Sequence, residues 1–446
     1  MENTAAFVAT ARFGLGARPG EMKAAAGDPR GWLAEQLLDD RMPKEVINIL
    51  PSFVPIVARE KAYKQGKMAA QAISKEQKKL YLHEAAARTR AQINSQVSFR
   101  ERLVAFWSNH FTVSIRQKKI RGAVGAFECE AIRPHITGRF RDILGAVTAH
   151  PVMLTYLDNV ASIGPNSAYG LRRNRGLNEN LARELLELHT LGVDGGYGQG
   201  DVRALAGMLT GWSYASVSKA ARSIGKPHAG TYHFDEGMHE PGSKTLLGKT
   251  YKWEGKREVD RALDTLSTHP ATAHHIATKL ARHFIADQPP LAVVARLYNI
   301  FLDSGGDLGV VTHALIDSPE AWAEPLTKIK SANEFIVSAL RGLNIDITDK
   351  NLIKSLDFLA QMPFSAPSPA GWPDTADGWI GSEALMRRTD WAVFIAKSAR
   401  EAVPLDLLND TLGPVADTNL RSAVQRAPST TEAVAMIIAS PAFQRR

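Results

Sequence analysis

Two carboxylates in the segment at positions 178–202, NENLARELLELHTLGVDGGYGQGDV, are the residues best placed to do chemistry. The apolar spacing predicts a helix, and at about 100° per residue Glu184 and Glu187 fall on its polar face. Carboxylates three residues apart can bind a divalent cation or share a proton. They can equally form ordinary surface ion pairs, with Arg183 or with the arginines of the preceding loop.

The histidine of the same segment is expected to be buried. A helix is predicted from residue 179 to residue 191, with Asn178 as its N-cap and Gly192 just beyond its end. His189 then points with the leucines, on the side opposite Glu184. A buried histidine can be a catalytic group or a core residue with hydrogen-bonded ring nitrogens, and the pattern leaves both interpretations open.

Two further histidines stand in unusual contexts. His110 ends an aromatic helix in FWSNHF, next to Asn109, and His239 lies in the polar loop HFDEGMHEPG. This loop has the histidine and carboxylate content of an acid/base or metal site, without a diagnostic spacing. We therefore expect a catalytic group of four residues: Glu184, His189, His110 and His239. Any metal would be bound by Glu184, Glu187 and His239.

Familiar catalytic motifs are absent from the rest of the sequence. Residues 237–245, GMHEPGSKT, lack the Gly-Lys-Ser/Thr order of a phosphate-binding loop, and His83 lacks the second histidine of a zinc-protease helix. The single cysteine, Cys129, excludes an intramolecular disulfide and a cysteine-based zinc site. Four histidines show no metal-ligand spacing and are expected in the core or at the surface: His269, His274, His275 and His283.

Helical periodicity dominates the elements that would position these residues. The sequence predicts an all-α protein, a single helical domain over 1–446, with a strongly buried helix at 97–111. Strand-like content is confined to 213–256, where a short hairpin or an irregular flap is expected. A loop rich in proline and tryptophan follows at 363–381. The polar loops around 162–256 make that region the expected mouth of a cleft.

The positive charge of the chain is concentrated in one segment. Residues 59–121 contain 15 Lys/Arg and 4 Asp/Glu, a local charge of +11, whereas the whole chain carries +8. Residues 56–94 are predicted as one or two long helices with few large apolar residues, and hence as a protruding basic arm. The arm can be a solvated helix face or a patch for an anionic polymer, a phosphate group or a membrane surface. Its sparse aromatics argue against nucleic acid.

The sequence also bears on the compartment. No apolar run reaches the roughly 18 residues of a membrane span, so no transmembrane segment is expected. The first residues lack the basic region followed by an apolar region that a secretory signal contains. By this criterion we expect a cytoplasmic protein.

Several segments together carry a family resemblance. They are RFGLGARPGE at 12–21, FWSNHFTVS at 106–114, MLTYLDN at 153–159, ENLARELLELHTLGVDGGYGQGDV at 179–202, LTGWSY at 209–214, the run from His239 to Gly248, HPATAHHIATKLARHFIAD at 269–287 and GWP at 371–373. With these segments the chain resembles, over nearly its full length, the bacterial family called domain of unknown function 1800. The residues that match the family's motifs are Trp107, Asn109, His110, Asp158, Asn159, Arg183, Glu184, His189 and His239.

The resemblance has implications for fold, compartment and partner. It implies an all-helical protein. Members of the family are often exported, in contrast with the cytoplasmic location expected from the start of this sequence. They are also frequently encoded beside a protein similar to alkaline phosphatases and sulfatases, which the resemblance implies as a partner.

Three functions follow as hypotheses. The first is a metal- or acid/base-dependent hydrolase of an anionic or glycosidic substrate, with Glu184 as general base or as ligand of a divalent metal. Its substrate contacts would be Trp107, Asn109, Arg172, Arg173 and Arg183. The second is a non-catalytic scaffold or export partner of the phosphatase-like protein, in which Arg183 and Glu184 form a buried ion pair. The third is a haem protein, because buried histidines in a helical core could supply an axial ligand.

Overall fold

The computed structural model describes residues 2–173, 176–217 and 228–446, and the structural statements below concern these residues. The structure is 62% helix and 4% strand, which confirms the all-α prediction. None of the described helices has the length and apolar character that crossing a membrane requires.

Short helices and one long helical hairpin make up the first half of the chain. The α-helices are α1 (Glu2–Phe7), α2 (Glu21–Ala25), α3 (Pro29–Leu38), α4 (Phe53–Gln65), α5 (Lys67–Asn94), α6 (Ser98–His110), α7 (Val124–Phe127), α8 (Phe140–Ala149), α9 (Pro151–Tyr156), α10 (Ala168–Arg173), α11 (Asn180–Glu184) and α12 (Gln199–Leu209). Three π-helical turns extend them, at Val8–Phe13, Glu128–Ile132 and Leu185–His189.

The second half of the chain is more regularly helical. Its α-helices are α13 (Arg257–Ser267), α14 (Pro270–Phe284), α15 (Leu291–Asp303), α16 (Leu308–Asp317), α17 (Glu320–Ala323), α18 (Ala332–Leu343), α19 (Asp349–Phe358), α20 (Ser382–Ala396), α21 (Pro404–Thr411), α22 (Thr418–Gln425) and α23 (Thr430–Ala439). Between α19 and α20 runs the loop rich in proline and tryptophan, with one 3₁₀ turn at Ala376–Gly378.

Two small antiparallel hairpins form the flap predicted at 213–256. Strand β1 (Trp212–Tyr214) pairs with β2 (Tyr232–Phe234), and β3 (Lys244–Leu246) pairs with β4 (Lys249–Tyr251). The second pair is a local hairpin, whereas β2 returns to a strand that directly follows α12. The prediction of short strands in this region is confirmed.

One continuous apolar core runs from Ala6 to Phe443, as expected for a single domain. Helix α6 lies inside it, and Phe99, Leu103 and Trp107 are at most 1% exposed. These residues recur at the helical spacing noted in the sequence, so the buried helix predicted at 97–111 is confirmed.

The basic arm predicted at 56–94 protrudes along only part of its length. Helices α4 and α5 form a hairpin that turns at Gly66, and most residues from 61 to 79 are exposed. From Tyr81 onward, α5 is instead buried against α18 and α19. The prediction was wrong for this second part because alanines form the contact face, and small side chains give a weak apolar pattern although they allow close helix packing.

The helix predicted at 179–191 changes its winding halfway. It is α-helical to Glu184 and then forms a π turn that ends at His189. The hydroxyl of Thr190 donates to the carbonyl oxygen of Leu185 at 2.7 Å, which helps to satisfy a backbone group of the wider turn. Gly192 follows at φ +85, a conformation that favours glycine, as predicted for the residue beyond the helix end.

Candidate functional site

Asn109 fastens the tryptophan-rich loop to the end of α6. Its Nδ2 donates to the carbonyl oxygen of Trp372 at 2.9 Å, and its Oδ1 accepts from the Trp372 N–H at 2.7 Å. Gly371 has φ +85, and a Cβ there would lie 2.6 Å from the Asn109 carbonyl oxygen. This close approach therefore requires a glycine at position 371.

Trp107 does not fulfil the predicted role of a substrate contact. It is 1% exposed and packs edge-to-face against Phe106 and His110, with ring centroids 5.0 and 5.4 Å away. No surface of the indole is left for a ligand in this structure. We therefore correct its predicted role to core packing.

Three imidazoles gather around the end of the π turn. His110 Nε2 donates to the carbonyl oxygen of His189, and His275 Nε2 donates to that of Leu188, both at 3.1 Å. These two carbonyls lie at a helix end, where backbone acceptors lack intrahelical partners. His110 and His275 therefore cap the turn from two other helices.

The protonation of these histidines is dominated by burial. Burial lowers the pKa of His189 to about 3 and that of His275 to about 4, with the nearby Lys279 ammonium acting in the same direction. The pKa of His110 is lowered well below its usual range, again chiefly by burial. All three rings are therefore neutral at pH 7. His189 is 1% exposed, which confirms its predicted burial.

Glu184 and Glu187 form a separate, half-exposed pair. Burial, and then the negative charge of Glu187, raise the pKa of Glu184. Tyr197 Oη donates to Glu187 Oε2 at 3.4 Å. Arg183 does not pair with Glu184 but with Glu179 at 3.0 Å, so the predicted Arg183–Glu184 ion pair is wrong. Arg183 lies one turn after Glu179, and this i,i+4 spacing favours the pair that forms.

The arginines of the loop before α11 give little support to a binding role. Arg172 is exposed, donates to the carbonyl oxygen of Ala168 at 2.9 Å and lies over the ring of Tyr169. The side chain of Arg173 and the whole of Arg175 lie outside the described residues. The predicted substrate contacts at Arg172 and Arg173 therefore stay predictions.

His239 belongs to a buried charged group below the flap. Its Nδ1 lies 2.9 Å from the carbonyl oxygen of Thr210 and its Nε2 lies 3.4 Å from Glu258 Oε1. Glu258 Oε2 also accepts from Lys244 Nζ at 2.9 Å. Burial alone would raise the pKa of Glu258, but the hydrogen bonds from His239 and Lys244 lower it overall. The carboxylate is therefore ionised and paired.

The predicted metal ligands are not brought together. Among the described residues, no three His, Cys, Asp or Glu side chains lie close enough to share a metal ion. The neighbours of His239 are Thr210, Glu258 and Phe234, not Glu184 or Glu187. Sequence spacing had no means of showing this, because 19 residues separate His239 from Glu258.

Two other motif residues support the fold. Asn159 is 1% exposed, and its Nδ2 donates to the carbonyl oxygens of Leu209 and Trp212 at 3.1 and 2.9 Å. It thereby joins α12 to the first strand of the flap. Asp158 adopts a positive φ of 55 and lies 3.3 Å from Lys119.

A histidine–aspartate pair that the sequence did not single out stands at the same end of α6. His283 Nδ1 lies 3.0 Å from Asp374 Oδ1. The ring of His283 packs against Phe106, which also faces His110. Sequence reasoning missed this pair because its members are 91 residues apart, one on α14 and one directly after the Gly-Trp-Pro turn. The only signal was that His283 lies in one family-matching segment and Asp374 directly follows another.

The electrostatics of this pair define its protonation state. Burial lowers the pKa of His283, although its hydrogen bond to Asp374 acts in the opposite direction. Burial alone would raise the pKa of Asp374, but the hydrogen bond to His283 and the nearby lysines lower it overall. An ionised Asp374 accepts a hydrogen bond from the Nδ1–H group, and the neutral ring then has its lone pair on Nε2. This buried nitrogen has no hydrogen-bond partner among the described residues.

His283 and Asp374 line a cavity of about 110 Å³ between α6, α18 and the tryptophan-rich loop. This volume accommodates roughly three or four water molecules or a group of similar size. Asn109 and Trp372 also line it, so the two hydrogen bonds between these residues lie in its wall. One predicted site residue, Asn109, therefore borders this cavity.

Cations outnumber carboxylates on the cavity wall. Four cationic and two anionic side chains line it: Arg88, Arg102, Lys328 and Arg446, with Glu334 and Asp374. Glu334 pairs with Arg102 and lies 3.2 Å from Arg446 Nε. Lys328 and Arg88 pair with carboxylates that do not line the cavity, Asp287 and Glu128. A group inside the cavity therefore meets more N–H donors than carboxylates.

Among known proteins, the chain matches a family model but no individual curated protein or solved structure. A family model described as a protein of unknown function, DUF1800, matches residues 8–445. Since this match covers nearly the whole chain, the protein belongs to the DUF1800 family.

Proposed function

We propose that the cavity beside His283 is the active site of a hydrolase that acts on a small anionic ester. One observation carries the proposal: His283 Nε2 is buried without a partner among the described residues, whereas Nδ1 is held by Asp374. A buried nitrogen that makes no hydrogen bond costs free energy in the folded protein. A catalytic role is one reason for a protein to retain such a group, and the ionised Asp374 beside the ring favours that reason here.

The pair has the properties of a general base with its positioning partner. His283 is neutral at pH 7, and its Nε2 can take a proton from water as the water oxygen attacks the ester. Asp374 fixes the tautomer and stabilises the imidazolium that forms. The proton then passes from Nε2 to the leaving oxygen of the ester as the bond to that oxygen breaks. Among the described residues no hydroxyl or thiol is hydrogen-bonded to Nε2, which favours water as the nucleophile.

The cavity wall supplies the electrostatic part. The guanidinium groups of Arg102 and Arg446 line the cavity, and their positive charge would stabilise negative charge that develops on phosphate or sulfate oxygens. The loop that carries Trp372 and Asp374 forms one wall of the cavity. Glu184 does not line the cavity, so this proposal assigns the role of general base to His283 instead.

The experiment is an activity screen with a matched pair of variants. Chromogenic phosphate, sulfate and glycoside esters are tested with the wild type, with His283→Gln and with His313→Gln, a change at an exposed histidine. We expect activity on a charged ester that falls by at least about 100-fold in His283→Gln and is unchanged in His313→Gln. Equal activity in the two variants would contradict the proposal, as would a response to glycosides alone.

A second candidate function, a non-catalytic partner of a phosphatase-like protein, also has an observation in its favour. The side-chain amide of Asn109 and the Nε2 atoms of His110 and His275 all hold backbone groups, as structural residues do. Co-purification with the neighbouring phosphatase-like protein, together with an inactive screen, would favour this candidate over the hydrolase.

A further inference from the structure

The exposed part of the helical hairpin carries a one-sided basic stripe. At about 100° per residue, five residues at the start of α5 fall within an arc of about 120°. They are Lys67, Met68, Lys75, Lys78 and Lys79, and all five are exposed. The one carboxylate of this stretch, Glu76, falls about 180° from Lys67. We call these five residues the hairpin stripe.

A second basic segment lies beside the hairpin. Arg59 Nη1 on α4 donates to the carbonyl oxygen of Lys118 at 3.3 Å, which brings residues 116–121 against the base of the hairpin. Lys118 and Lys119 are exposed there. The fold thus joins two cationic segments that are distant in the sequence.

The cations of the hairpin stripe are not neutralised by the protein itself. Within the described residues, no ion pair involves the lysines at positions 67, 75, 78 and 79. Residues 59–121 carry a net charge of +11, whereas the whole chain carries +8. The rest of the chain therefore has a slightly negative net charge. A uniformly charged protein would not orient itself on an anionic partner, whereas this distribution directs one end toward it.

We propose that the hairpin stripe docks the protein on an anionic lipid bilayer, with the lysines near the headgroups and Met68 in the interface. Met68 is 86% exposed, the highest exposure among the large apolar residues described, and it lies between lysines on the same arc. A cluster of four or more lysines on one helix face is attracted to anionic headgroups, and an exposed apolar side chain among them can enter the interface. The stripe lies on a projecting hairpin, a shape that meets a flat surface.

The same features weigh against a nucleic-acid strand as partner. Stacking on bases needs free aromatic faces. Tyr63 on α4 is 54% exposed, but the Arg59 guanidinium lies over one face of its ring, 4.5 Å from the centroid, and Tyr81, two residues beyond the stripe, is buried. The stripe itself contains no aromatic residue.

The test is sedimentation of the full chain with vesicles of equal parts phosphatidylglycerol and phosphatidylcholine, and with vesicles of phosphatidylcholine alone. We expect binding only to the anionic vesicles, and a marked loss between about 0.1 M and about 0.5 M salt. Lys67→Glu/Lys75→Glu/Lys78→Glu should weaken binding by at least about 100-fold. Met68→Ser should weaken it several-fold without changing its salt dependence.

The matched control changes the net charge equally at another place. Lys350→Glu/Lys354→Glu/Lys397→Glu alters three lysines outside the hairpin, and we expect it to bind within about threefold of the wild type. Equal losses in the two triple variants would overturn the proposal, since net charge alone would then explain binding. Tighter binding to an oligonucleotide than to the anionic vesicles would overturn it too, and would identify a polymer as the partner.

Discussion

Removal of the Asn109 side chain should free the tryptophan-rich loop. In Asn109→Ala the loop loses the two hydrogen bonds between the Asn109 amide and the backbone of Trp372. Each contributes about 1 kcal/mol net, and the Trp372 N–H and carbonyl oxygen are left unpaired at a half-buried position. We therefore expect a local loss of about 2 kcal/mol, which corresponds to roughly 30-fold more frequent opening of residues 371–379.

Hydrogen exchange followed by mass spectrometry measures this opening directly. Peptides that cover 371–379 should exchange roughly 30-fold faster in Asn109→Ala, because their amides open with the loop. Peptides from α14 should exchange as in the wild type. Asn351→Ala, at an exposed position on α19, serves as the control and should change neither region.

Unchanged exchange in residues 371–379 would contradict the prediction that Asn109 holds the loop closed. It would show that the contact of Trp379 with Pro373, or the bond from the Ala376 N–H to Asp287, holds the loop without Asn109. Faster exchange throughout the chain would refute it in another way, because it would mean global destabilisation in place of loop release.

The remaining predictions concern stability. Gly371→Ala should lower the free energy of unfolding, measured in urea, by at least about 2 kcal/mol. The reason is that φ is +85 and the new Cβ would lie 2.6 Å from both the backbone and the side-chain oxygen of Asn109. Unchanged stability would contradict the close approach of this turn to α6. Burial raises the pKa of Glu84 from 4.5 to about 7, so the native state keeps a proton that the unfolded state loses. Relative to Glu84→Gln, the wild type should therefore lose roughly 3 kcal/mol of unfolding free energy between about pH 4.5 and about pH 7, a difference that urea titrations of both proteins at several pH values measure. Lys244→Met should cost about 3–5 kcal/mol, because Glu258 stays buried with less compensation, and Lys244→Met/Glu258→Leu should recover part of the loss.

The sequence predicted what depends on local pattern. Large apolar residues at helical spacing identified α6 as a core helix, and the same argument placed His189 inside. Alternation and turn residues located the flap. In each of these cases the determining interactions lie within one or two turns of the chain, so that periodicity reports them.

What depends on tertiary contact was missed or mistaken. The His283–Asp374 pair joins positions 91 residues apart, and Arg183 could not be assigned to Glu179 in preference to Glu184 by charge alone. The second part of α5 was taken for an exposed arm because alanine packs closely without a strong apolar signal. These errors share one cause, which is that the partner of a side chain is decided by the fold and not by its neighbours in sequence.

The proposed active site requires an unprotonated Nε2 on His283 and a cavity that receives an anionic group. Its most direct test is ¹⁵N–¹H NMR of the labelled histidine rings, titrated with inorganic phosphate, in the wild type and in Asp374→Asn. At pH 7 we predict that the His283 ring is protonated at Nδ1 and not at Nε2. The Nε2 signal should shift as phosphate is added, and the tautomer should change in Asp374→Asn. A ring protonated at Nε2, or an Nε2 signal that does not shift when phosphate is added, would contradict the proposed active site.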